Sequence, residues 1–80
     1  MKVLAEIPHP NIKITIFSWN QKYIVKFETP LLEQTYKVSE MDLTGEEQIE
    51  KLISSAFIDK VLERFKLMDK DWEELVEDDL

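Results

Sequence analysis

The chain has 80 residues, of which 44% are hydrophobic and 34% charged, and it carries a formal net charge of −7 at pH 7. That length suits one domain, residues 1–80, with a modest core, and the apolar share excludes a disordered chain. Cysteine is absent, which excludes disulfides, thiolate catalysis and zinc–thiolate sites.

No apolar run approaches the roughly 20 residues that a membrane span needs. The start of the chain offers only Val3-Leu4-Ala5 before Glu6, too short for a signal-peptide core. A cytoplasmic protein with no membrane partner is therefore expected. The charge is uneven. Residues 1–40 hold five lysines against four glutamates, net +1, and residues 41–80 hold five cations against thirteen acids, net −8. Such a balance disfavours non-specific binding to nucleic acid or anionic membranes.

Residues 1–11 carry Val3, Leu4 and Ile7 before Pro8-His9-Pro10. The prolines remove two amide donors and hold the backbone extended. This segment reads either as an N-terminal fourth strand at a sheet edge or as an arm laid across a face. His9, the sole histidine, has no partners for a metal cluster or a triad and reads as a solvated extended residue.

Ile12 to Phe27, IKITIFSWNQKYIVKF, reads as two strands joined at Asn20-Gln21. Alternation places Ile14, Ile16, Ser18, Tyr23, Val25 and Phe27 on one face. It places Lys13, Thr15, Phe17, Trp19, Lys22, Ile24, Lys26 and Glu28 on the other. A two-residue loop pairs Ser18 with Tyr23, Ile16 with Val25 and Ile14 with Phe27; a slip of one residue would scramble both faces. Asn suits the positive φ of such a turn, whereas Gln at the second position is a weaker signal that leaves room for a longer loop.

Thr29-Pro30 ends the second strand, and Leu31 to Ser39 reads as a third. A turn centred on Pro30-Leu31 pairs Phe27 with Gln34, Val25 with Tyr36 and Tyr23 with Val38, which adds Tyr36 and Val38 to the apolar face.

The period then changes. Thr44-Gly45-Glu46-Glu47 is a capping-box pattern: the Thr44 hydroxyl is placed to accept from the Glu47 amide, and the Glu47 carboxylate from the Thr44 amide. Ile49, Leu52, Ile53 and Ala56 follow at helical spacing. Phe57, Ile58, Val61, Leu62, Phe65, Met68, Trp72, Leu75 and Val76 continue it. One helix over all of this would be roughly 48 Å long, too long for so small a domain. A break is therefore expected at Ser54-Ser55, weak helix formers and good caps. Asp71-Trp72-Glu73-Glu74 repeats the capping pattern and offers a second break at Asp69 to Asp71. Glu77 to Leu80 reads as frayed.

Together these elements predict an α+β fold: a three-stranded antiparallel meander, with or without the fourth strand, covered on one face by two C-terminal helices. The predicted core comprises Ile14, Ile16, Tyr23, Val25, Phe27, Tyr36, Val38, Ile49, Leu52, Ile53, Phe57, Val61, Phe65 and Met68.

Chemistry is sparse. Asp69, Asp71 and Glu73 have the spacing that opens a calcium loop, but the sixth position is Glu74 instead of Gly and the twelfth is Leu80 instead of an acid. A single glycine leaves no phosphate-binding loop. The serines have no base beside them, and no carboxylate lies in an apolar run that would raise its pKa. No cofactor, metal or catalytic residue is assigned, and the chain is not expected to be an enzyme.

One constellation stands out: Phe17, Trp19 and Ile24, with Lys22 and Lys26, on the face away from the predicted core. It has three readings. An element of the same chain covers it as a second small core; a protein partner or a second copy buries it, making a homodimer; or it is a stacking platform for single-stranded nucleic acid, which the acidic second half opposes. A small-ligand or enzymatic subunit is a further alternative. Trp19 opposite Lys22 also suits a cross-strand cation–π contact.

The runs IPHPNIKITIFSWNQKYIVKFE and LLEQTYKVSE resemble a group of small, uncharacterised bacterial proteins of about this length. Ser18-Trp19-Asn20 and Glu33-Gln34-Thr35 are the most recognisable pieces. The resemblance covers nearly the whole chain and implies a bacterial cytoplasmic protein; it implies no activity and no site residue.

Overall fold

The computed structural model describes residues 1–79. Four strands, β1 (Lys2–Ile7), β2 (Lys13–Trp19), β3 (Lys22–Glu28) and β4 (Glu33–Ser39), are followed by a single 3-10 turn, Glu40–Asp42, and by helices α1 (Glu46–Leu52) and α2 (Ser55–Asp79). The sheet is antiparallel throughout, in the order β1-β2-β3-β4. The α+β class is as the sequence predicts, but the meander has four strands, not three. The N-terminal segment pairs with β2 instead of crossing a face. Pro8 and Pro10 stay in the connection, where their missing amides cost no ladder bond.

The register follows the alternation. Ser18 faces Tyr23, Ile16 faces Val25 and Ile14 faces Phe27; Phe27 faces Gln34, Val25 faces Tyr36 and Tyr23 faces Val38. Asn20 and Gln21 both adopt left-handed backbone, with φ of 53° and 63°. This is the two-residue turn whose twist matches the flanking strands, so the loop is not longer despite the absence of Gly. On β1 the register shifts between Val3 and Ala5. The bulge leaves Val3 exposed on the outer face while Leu4, Ala5 and Ile7 pack against the core.

Both helices lie on the inner face. Ile12, Ile14, Ile16, Tyr23, Val25 and Phe27 form one cluster with Ile49 of α1 and with Val61 and Phe65 of α2. Phe27, Ile14, Ile16 and Val61 are at most 1% exposed. The rings of Phe27, Tyr36 and Phe57 meet at centroid distances of 5.5 to 5.9 Å, mostly edge-on, the arrangement the ring quadrupoles favour.

Two predicted core residues are less buried. Tyr36 is 36% exposed because its hydroxyl leaves the core to donate to Gln34 Oε1 (2.6 Å) and to accept from Arg64 Nη1 (2.8 Å). Leu52, in the last turn of α1, is 55% exposed.

The break at Ser54 is present. The Ser54 hydroxyl accepts from the Phe57 amide at 3.2 Å, and the Ser54 carbonyl from the Ile58 amide at 2.9 Å, which caps the start of α2. The capping box at Thr44 is not. Gln48 fills that role: its Oε1 accepts from the Thr44 amide (2.6 Å) and hydroxyl (3.0 Å). The cap itself is Gly45, at φ 157° and ψ −174°, a conformation essentially confined to glycine.

The second break is absent too. α2 runs 25 residues without interruption to Asp79, so Glu77 to Asp79 are helical; Leu80 lies outside the described residues. No Gly or Pro falls in that stretch to stop the helix. At about 37 Å, α2 sets most of the 47 Å length of the molecule and overruns the sheet.

Candidate functional site

The outer face of the sheet is built by alternation. In the register its side chains form four rows across the strands. Nearest the Asn20-Gln21 turn is Trp19–Lys22–Ser39; next come Val3–Phe17–Ile24–Lys37, then Glu6–Thr15–Lys26–Thr35, and last Lys13–Glu28–Glu33. No carboxylate lies in the first two rows. The glutamates gather toward the opposite end. Glu40, which follows β4 closely, turns its carboxylate to the Ser18 hydroxyl at 2.9 Å, and Ser18 belongs to the inner face.

The five residues singled out from the sequence share this face but not one environment. Trp19 is 52% exposed and Ile24 is 3% exposed. Phe17 and Lys26 are half-buried, and Lys22 is exposed. Ile24 is buried without a helix over it, because it sits mid-sheet between Phe17 and Lys37 with Lys22 and Lys26 two residues to either side. Long side chains at such positions lay their stems over a shorter neighbour. The cation–π contact of this face joins Lys26 to Phe17, with Nζ 5.6 Å from the ring centroid, in place of the expected Lys22–Trp19 contact. Lys26 Nζ also lies 3.6 Å from a Glu33 carboxylate oxygen. With both side chains partly exposed, that pair orients Lys26 more than it stabilises the fold. Trp19 is therefore left as the large apolar group at the surface, flanked by Lys22.

Thr15 is the anomaly of this face. It is 3% exposed, and its hydroxyl has no hydrogen-bond partner.

On the inner face an open apolar cleft of about 180 Å³ separates β3 and β4 from α1. Val25, Phe27, Val38, Ile53 and Phe57 are among its lining residues, with Tyr36 and Leu52 at the exposed margin. That volume is below the roughly 300 Å³ at which ligand pockets begin; it fits one aromatic ring. Beside it Gln34, 7% exposed, donates from Nε2 to the Val61 carbonyl at 3.0 Å. Its Oε1 accepts from Tyr36 and, at 3.4 Å, from Arg64. This network fastens β4 to α2. The alternation places Gln34 inward opposite Phe27, but only the tertiary fold reveals a partner for its amide.

His9 is half-buried rather than solvated: its Nδ1 accepts from the Asn11 amide at 3.1 Å and shapes the β1–β2 connection. Among the described residues no group of three His, Asp or Glu comes together to hold a metal ion, and no helix is long and apolar enough to cross a membrane.

The second half of α2 is the other conspicuous surface. Trp72 is 50% exposed, Leu75 54% and Val76 36%. These three continue the helical spacing of the packed stripe, but the sheet ends before it reaches them. No family model, curated protein or solved structure matches the chain.

Proposed function

We propose that the protein is a non-catalytic protein-interaction module whose contact surface is the outer face of the sheet around Trp19, the partner being another protein or a second copy. The exposure of Trp19 on a sheet face that neither helix covers carries this reading. An aromatic anchor with a half-buried neighbour, Phe17, and a rim of long cationic side chains is the composition from which interface hot spots are built. The net charge of −7 weighs against a nucleic-acid strand as the ligand, since phosphate binding depends on counterion release by a cationic surface.

The test uses the tagged full chain and its Trp19→Asp variant side by side as bait in a bacterial lysate and against the untagged chain. Loss of a captured protein, foreign or self, with an unchanged circular dichroism spectrum is the expected result. Identical capture by both baits, or none by either, overturns the reading.

A further inference from the structure

The projecting half of α2 and the lysine-rimmed corner of the sheet are complementary, and they cannot meet within one molecule. The apolar stripe of α2 runs Ile58, Val61, Phe65, Met68, Trp72, Leu75 at alternating steps of three and four, the seam a helix presents to a partner surface. Its first half is used. Val61 and Phe65 are 0% and 6% exposed against the sheet. Its second half continues the seam into solvent, and from Asp69 to Asp79 seven acids accompany one lysine. A second copy of this segment would be repelled by it, and a basic apolar surface attracted.

The same chain presents such a surface. Exposed Val3 and Trp19 and half-buried Phe17 lie beside exposed Lys22 and Lys37 in the two rows nearest the Asn20-Gln21 turn of the outer face, over the buried Ile24. The direction of α2 is fixed by its contacts. Phe57 shares the cleft with Val25, Tyr36 and Val38; the Val61 carbonyl holds Gln34; Phe65 lies by Leu31 and Leu32 at the β3–β4 turn. The helix thus travels away from the Asn20-Gln21 turn, and its projection leaves at the opposite end and on the opposite face from Trp19. One molecule carries both halves of the contact and fills neither.

We infer that the chain associates head to tail, the acidic projection of α2 from one copy docking through Trp72 and Leu75 on the Val3–Phe17–Trp19 corner of the next, between Lys22 and Lys37. The inference rests on the outer face being a protein-binding surface and names its occupant. The contact is small: a projection of about 15 Å places it among weak, salt-sensitive encounters rather than permanent assemblies. Being heterologous, it closes into a ring or grows into a chain, and leaves one unused surface at each end of any open oligomer.

Sedimentation of the full chain tests this, with three samples: Trp19→Asp, which breaks the face; Trp72→Gln with Leu75→Gln, which breaks the projection with good helix formers; and their equimolar mixture. The parent is expected to grow in mean mass with concentration at low salt, its association constant falling on the order of tenfold when salt rises from low to physiological. Each variant alone is expected to stay monomeric, and the mixture to form one-to-one dimers that grow no further, because each copy supplies the surface the other lacks. Four outcomes overturn the inference: a parent monomeric at millimolar concentration in low salt; an association that the projection variant keeps; one that the face variant keeps; or a mixture no heavier than its parts. If the chain stays monomeric while Trp19→Asp still loses a foreign protein in the lysate, the interaction reading stands and the head-to-tail contact alone falls.

Discussion

The two halves of α2 follow one spacing rule and meet opposite fates. Phe65 and Trp72 are seven residues apart on the same stripe, yet Phe65 is 6% exposed and Trp72 50%. What separates them is the length of the sheet beneath, since β3 ends at Glu28, β4 begins at Glu33 and the β3–β4 turn lies beside Phe65. Helical periodicity therefore reports which side of a helix is apolar and is silent on whether anything lies under it. The sharpest way to break this comparison is to truncate one residue from each half. Phe65→Ala is expected to cost about 3–5 kcal/mol, the range for emptying a buried aromatic site. Trp72→Ala is expected to cost under about 1 kcal/mol, the range for exposed positions. Urea denaturation at dilute concentration measures both. Equal losses would mean that the projection folds back on the body and is not a free surface. Amide exchange sharpens the same contrast: protection is expected to fall from Val61–Met68 to Asp71–Asp78, because fraying ends open first.

The faces of the sheet give the second contrast. The register of β2, β3 and β4 was legible, because their alternation admits one pairing that keeps both faces consistent. The Ser54 break was legible from capping chemistry. β1 stood as one of two options: the prolines bounding it suit an edge strand and a loose arm equally, and a bulge interrupts its alternation. The continuation of α2 past Asp69 was not legible, because a capping-box pattern also fits a helix interior when its acids face water. Nor was Gln34, whose inward position is visible but whose acceptor, the Val61 carbonyl, lies 27 residues away in sequence. Of the candidate surface, the sequence places Phe17, Trp19, Lys22, Ile24 and Lys26 on one face. Their unequal exposure follows from neighbours along and across the strands.

Thr15 tests how dry the centre of that outer face is. Its buried hydroxyl lacks a partner, and an unmade hydrogen bond costs the desolvation of the group. Thr15→Val keeps the β-branched shape and removes that cost. Stabilisation by about 1 kcal/mol in urea denaturation is the expected result. Destabilisation would mean that the hydroxyl is hydrated and the face wetter than the 3% exposure of Thr15 implies.

The smallest expected effect lies at the Asn20-Gln21 turn, which joins β2 to β3. Gln21 holds φ at 63°, a conformation that costs an L-residue roughly 1–2 kcal/mol and glycine almost nothing. Glycine also gains freedom in the unfolded chain, which offsets part of that relief. The Gln21 carbonyl accepts from the Glu40 amide at 3.0 Å, a backbone bond that substitution leaves in place. Gln21→Gly should therefore stabilise the fold by up to about 1 kcal/mol. It should also leave the register unchanged, since β-branched and aromatic pairs on both faces set it independently of the turn. Thermal denaturation reads the first expectation, and cross-strand proton contacts between Ile16 and Val25 read the second. A loss of stability would mean that the Gln21 side chain contributes more at the hairpin tip than its backbone strain costs.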